Sequence, residues 1–305
     1  MRRRAACHGT ANVSGPVRLL VSIAALACVA GCSTGGSGIS AEPSIATGKN
    51  RMTWAMPLDA YMVDPQLDYA VDVLVEPCMQ DRGFAYRRPA VDVTERSETV
   101  TFSGRNLFNV DVAREWGYSG APDPNDEVLR AASTEALGWS QEQQDQYDSC
   151  LEEARAVFPA QSINNDVAGL SLSSWSGANR EPEVLDAAAR WVTCMRPLGF
   201  TDLPESPDSE SGGTPTLSMS EAYGEVADGV SNVQTAEQRA EEIRIATFDA
   251  ECQESSGYAQ ALYDAEWVRQ VGIVRDNEEA LTALLDEKVA YEEDAEAIFR
   301  GAGLG

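Results

Sequence analysis

Apolar residues recur at helical spacing through most of the chain. Leu67, Val71 and Leu74 precede Cys78, and Val184, Ala187, Ala188 and Trp191 precede Cys194. Both stripes predict amphipathic helices that end just past a cysteine. Gly83 and Gly199 stand where a helix-ending glycine belongs, each followed by a phenylalanine able to pack back on the last turn. Ser140-Gln141-Glu142-Gln143 and Thr235-Ala236-Glu237-Gln238 fit the capping box that opens a helix, and each runs on to a cysteine, Cys150 and Cys252. Tyr258 to Arg300 has no proline and carries a stripe at Trp267, Val271, Val274, Leu281, Leu285 and Phe299. It predicts one long C-terminal helix, bent at Gly272.

Cys78-Met79-Gln80-Asp81-Arg82-Gly83-Phe84 and Cys194-Met195-Arg196-Pro197-Leu198-Gly199-Phe200 share the pattern C-M-x-x-x-G-F. With similar flanks, this is an internal repeat of helix, loop and helix. Between the helices, Val91 to Phe102 has enough β-branched residues for a short hairpin in the first half. Pro204 to Thr216 reads as a mobile polar excursion, and Gln161 to Asn179 as a joining segment. The expected fold is mainly α, a two-repeat disulfide-stapled helical domain with a long C-terminal helix.

The N-terminus follows a different pattern. Arg2 to Arg4 give a positive start, and Leu19 to Ala30 form a mostly apolar run. That run has the length of a signal-peptide core and is short for a membrane span. Val29-Ala30-Gly31-Cys32 resembles the lipobox of bacterial lipoproteins, in which the cysteine thiol takes a diacylglycerol and becomes the mature N-terminus. Residues 32–50 are rich in Ser, Gly and Thr and read as a flexible tether. The expected organisation is a signal peptide at 1–31, the tether at 32–50, a first helical repeat at 51–160, a connector at 161–180, and a second repeat with the long helix at 181–305. The expected location is the outer face of the cytoplasmic membrane.

An exported chain favours disulfides over free thiols. Cys78, Cys150, Cys194 and Cys252 allow three pairings, of which Cys78–Cys150 and Cys194–Cys252 is the simplest, one staple per repeat. Composition then limits the chemistry. The 305 residues are 43% hydrophobic and carry a formal net charge of −26. Such acidity repels phosphate backbones, so nucleic acid is not an expected partner.

The one histidine, His8, lies in the expected signal peptide. A Ser-His-Asp or Cys-His catalytic arrangement is therefore excluded from the mature part, and no metal site or cofactor is expected. Asp123-Pro124-Asn125-Asp126-Glu127 lacks the glycine and distal glutamate of a calcium loop and reads as an acidic helix start. Glu278, Glu279, Glu292, Glu293 and Asp294 read as a solvated face. Most of Trp54, Trp116, Trp139, Trp175, Trp191 and Trp267 are expected in the core. Trp175, in a polar stretch, is the candidate for a ligand groove.

The run Trp54-Ala55-Met56-Pro57-Leu58-Asp59-Ala60-Tyr61, the two C-M-x-x-x-G-F motifs, Trp116-Gly117-Tyr118 and the closing helical segment together resemble an uncharacterised family of actinobacterial lipoproteins. The resemblance implies export, a lipid anchor at Cys32, a helical fold and an accessory role near a transporter or another envelope protein. It supplies no catalytic residues. The expected function is a non-catalytic, lipid-anchored accessory or binding protein of the cell envelope. The alternative is a carboxylate-dependent cell-wall glycan hydrolase.

Overall fold

The computed structural model describes residues 48–101, 103–209, 212–224 and 234–304. All of them fall in one compact unit. Among them the fold is mainly helical, with ten α-helices and no β-strand. These are α1 (Ala70–Asp81), α2 (Val110–Trp116), α3 (Asp126–Ala136), α4 (Gln141–Val157), α5 (Ile163–Ala178), α6 (Pro182–Met195), α7 (Leu217–Ala222), α8 (Ala236–Ser256), α9 (Tyr258–Asp276) and α10 (Glu278–Gly301). The expected hairpin forms no strand: an isolated bridge joins Val100 to Asn106, flanked by backbone hydrogen bonds from Thr101 to Arg105 and from Leu107 to Thr99. The buried hydroxyls of Ser97 and Thr99 hydrogen-bond to each other and to the 121 region, which holds this short pairing against a loop.

Both helix pairs carry the local bridge. Cys78 on α1 is bonded to Cys150 on α4, and Cys194 on α6 to Cys252 on α8, with Cα atoms 5.8 and 5.6 Å apart. Met79 and Met195 are wholly buried beside these bridges. Gly83 and Gly199 adopt φ of +87° and +79°, the left-handed region open to glycine. Ser140 and Thr235 each accept the backbone N–H three residues on, and Gln238 reaches back to the Thr235 amide. The signals that open and close these helices therefore act as local chemistry requires.

The rest of the repeat model changes. The segment 161–180 is helix α5, not a connector, and it packs against α9. The expected single C-terminal helix runs unbroken through Gly272 and stops at Asn277, whose side-chain amide donates to the Ile273 carbonyl at 2.8 Å. From there α10 crosses to the first repeat, where Phe299 and Tyr291 pack on Tyr69 and Phe158. In exchange α2, from the first half of the sequence, packs on α8 of the second. A central cluster of Leu58, Met62, Ile163, Val167, Val274 and Leu281 joins the two. The two halves share elements and build one core.

Candidate functional site

Cys32 and the signal peptide lie outside the described residues, as does the tether up to residue 47. The tether's expected end at residue 50 moves back, because Lys49 pairs with Asp264 on α9 and the Asn50 amide donates to the Tyr263 hydroxyl at 2.8 Å. The chain then makes a short 3-10 turn, Arg51–Thr53, and Trp54 follows with φ of +46°. Left-handed backbone costs a bulky residue about 1–2 kcal/mol. Three contacts offset it. The Trp54 indole N–H donates to Glu266 Oε2 at 3.1 Å, its ring meets Tyr263 edge-on at 5.2 Å, and the Arg105 guanidinium lies 4.3 Å from its ring centre.

Trp54 thereby forms a wall between two cavities. One, of about 360 Å³, lies toward α5 and is bounded by Met56, Asp59, Leu172, Trp175, Glu266 and Gln270, among others. The other, of about 370 Å³, lies toward Phe108, Pro207 and Tyr258. Arg105 and Asp208 line both. Arg105 donates to Glu266 Oε2 at 3.1 Å and pairs with Asp208, which also accepts the Trp175 indole N–H at 3.1 Å. Gln270, buried on α9, accepts the Leu58 amide at 3.0 Å. Of the expected excursion 204–216, the described residues 204–209 reach the groove: Pro207 is buried and Asp208 accepts the Trp175 indole N–H.

Burial raises the carboxyls of Glu266 and Asp59 above their ordinary range. Arg105 and the Trp54 indole pull Glu266 back down, while Asp208 and Asp59 push it up. For Asp59, the Met56 amide at 2.8 Å and Ser103 lower the carboxyl without cancelling the burial. Asp59 makes no ion pair among the described residues.

A second set of buried acids has a structural task. Glu242, fully buried on α8, accepts five hydrogen bonds, from the Tyr118 amide, the Ser119 amide and hydroxyl, Gln234 and Arg239. Burial raises its carboxyl, but these bonds outweigh the burial and hold it below the ordinary value. This explains Trp116-Gly117-Tyr118. Gly117 turns at φ +64°, and a Cβ there would stand 2.6 Å from Glu242 Oε1. Asp249, also on α8, accepts from Trp191, Gln253 and Tyr118, yet burial still raises its carboxyl.

Of the six tryptophans only Trp191 is wholly buried; the other five are half-buried, contrary to the expectation that most sit in the core. Trp175 does line a groove, on a helix instead of a polar loop. Asp126 and Glu127 open α3, and Asn125 holds the 92 loop through the Asp92 amide and carbonyl. On α10, Glu278, Glu279, Glu293 and Asp294 are exposed and Glu292 is half-buried against Lys288. Among the described residues no group of three or more His, Cys, Asp or Glu is placed to hold a metal. No described helix is long and apolar enough to cross a membrane. Of the groove, sequence patterns single out Trp54, Met56, Asp59 and Trp175, each inside a longer run. Arg105, Asp208, Glu266 and Gln270 come from three distant segments and carried no local signal. Comparison with protein-family models, with curated proteins and with solved structures finds no match.

Proposed function

We propose that this chain is an exported lipoprotein held on the outer face of the cytoplasmic membrane by a lipid on Cys32. Its folded part is a non-catalytic binding module of the cell envelope, serving another envelope protein or a transporter component. The groove between Trp54 and Trp175 is the binding site. One observation carries this reading: two of the groove's three acids, Glu266 and Asp208, are already committed, which leaves Asp59 without a second free carboxyl. Glu266 Oε2 holds both Trp54 and Arg105, and Asp208 holds both Arg105 and Trp175. A hydrolase needs one carboxyl free to give a proton and another free to attack or activate water. What the groove leaves open is the surface of Trp175 and Leu172, over a floor to which the buried Met56 and Met62 contribute, the lining usual for a small-molecule pocket.

The glycan hydrolase remains the second reading, because Asp59 and Glu266 share one cavity and both titrate high. The test incubates the processed chain with cell-wall glycan and follows product release over hours. No turnover is expected. Turnover abolished by Asp59→Asn or Glu266→Gln would replace the binding reading with the enzymatic one. For the anchor, Cys32→Ala is expected to give an unprocessed or released chain. Normal processing with unchanged membrane retention would rule out lipidation.

A further inference from the structure

The groove cavity has an unequal charge inventory. Asp59, Asp208 and Glu266 line it against one guanidinium, Arg105. Arg105 is spent on Asp208 and Glu266, and it lies flat over Trp54. Asp59 stands apart. It is half-buried, its Oδ2 caps the Met56 amide, and no cation of the described residues reaches it. A partly desolvated carboxylate without a counter-charge is a costly arrangement unless it is protonated or something else supplies the charge.

The walls say which kind of charge fits. Met56, Met62, Leu172 and the indole of Trp175 present thioether, aliphatic and aromatic surface. A small hard cation needs six or more oxygens and would find too few here. An organic ammonium is attracted to aromatic faces and carries an apolar body that suits such walls, and a quaternary one is also weakly hydrated. Arg105 over Trp54 shows that another wall of the same cavity already holds one organic cation in this manner. An anion would meet three carboxylates.

We propose that the cavity between Trp54 and Trp175 binds a ligand carrying an organic ammonium group on a short apolar body, with Asp59 as its counter-ion. This rests on the groove being a binding site and names the ligand class that it takes. The ammonium sits against Asp59 and the body lies along Leu172 and Trp175. The Arg105 bridge closes the far side and limits the ligand's length.

The test uses the full processed chain in neutral detergent and follows tryptophan fluorescence and calorimetry. The probes are choline, its uncharged isostere 3,3-dimethylbutan-1-ol, n-butylammonium and butyrate. The two ammonium probes are expected to saturate the signal, with the isostere and butyrate at least tenfold weaker. Asp59→Asn keeps an oxygen for the Met56 amide, so its thermal unfolding should match the parent while ammonium affinity falls about tenfold. Asp72→Asn, in a separate cavity beside Trp139, should leave binding unchanged. Equal binding of choline and the isostere would overturn the cation proposal and leave the groove reading standing. Stronger binding of butyrate would do the same. No saturable response to any probe would overturn both.

Discussion

The two disulfide-bonded helix pairs share a motif and a pairing, yet they are completed differently. The first pair, α1 and α4, is covered by apolar and aromatic contact. Tyr86 meets Trp139 and Tyr147 edge-on, those two are tilted against each other, all with centroids 5.1–5.9 Å apart, and α10 supplies Phe299. Its one buried acid, Glu76, lies at the rim, bridged to Arg88 and facing exposed Arg87. The second pair, α6 and α8, is completed by fully buried acids. Glu242 and Asp249 clasp the 117–119 turn, Trp191 and Gln253. A repeat in sequence thus specifies the staple and the helix ends. What is laid over each pair is a separate solution, apolar in the first and apolar with two buried acids in the second.

The comparison can be broken most severely at the staples. The bridges span 72 and 58 residues, so chain entropy assigns each about 4 kcal/mol. Replacing either pair by alanines should cost about the same in urea unfolding. A large inequality would show that one bridge carries native strain or that the unbridged chain retains structure. Non-reducing peptide mapping checks the pairing directly, and a Cys78–Cys194 peptide would overturn the repeat.

The ionic clasp comes next. Glu242→Ala removes a fully buried acceptor from five partly buried donors and should cost about 2–3 kcal/mol. Glu76→Ala, at the rim of the first pair, should cost about 1 kcal/mol. Equal losses would erase the distinction between the two pairs.

Glycines sharpen it further. Gly117→Ala combines a left-handed φ with a Cβ against the Glu242 carboxylate, and should cost about 2–3 kcal/mol. Gly83→Ala meets the same kind of backbone with open space around it, and should cost about 1 kcal/mol. Thermal unfolding of the two variants measures the difference.

The smallest effect is in pH, and the two α8 acids oppose each other. Glu242 is held below its ordinary value of 4.5, so the unfolded chain binds its proton more tightly. Its stabilising contribution is present above pH 4.5 and is lost as pH falls through the folded value. Asp249 is raised above 3.8, so the folded chain holds its proton more tightly. Its contribution is present below pH 3.8 and is lost as pH rises through the folded value. Unfolding free energy measured from pH 3 to 8 should therefore show a shallower acid-side fall in Glu242→Gln, with Asp202, Glu241 and Asp264 keeping the remainder. Asp249→Asn should show a shallower decline toward neutrality, since the Tyr118 hydroxyl can turn to accept from the new amide.

Much of this fold was written locally. The capping residues Ser140 and Thr235, the glycines at 83 and 199, the buried face of Val184, Ala187, Ala188 and Trp191, and the order of the four cysteines each act within a few residues of themselves or within one helix pair. A periodic pattern or a cap reports its own helix because its energetics are local. Other features were decided only when distant segments met. The apolar stripe continues across Asn277, so nothing in the pattern shows α10 leaving α9 for the first repeat, where Tyr69 and Phe158 receive its aromatics. The hydroxyls of Ser97 and Thr99 tie the short 99–107 pairing to the distant 121 region, a contact that no local pattern announces. The groove is the extreme case. Trp54, Arg105, Asp208 and Glu266 are scattered over more than two hundred residues, and each alone reads as an ordinary surface or core residue. Desolvation and ion pairing are properties of an environment, so only tertiary structure could turn four commonplace residues into a charged, aromatic-walled cavity.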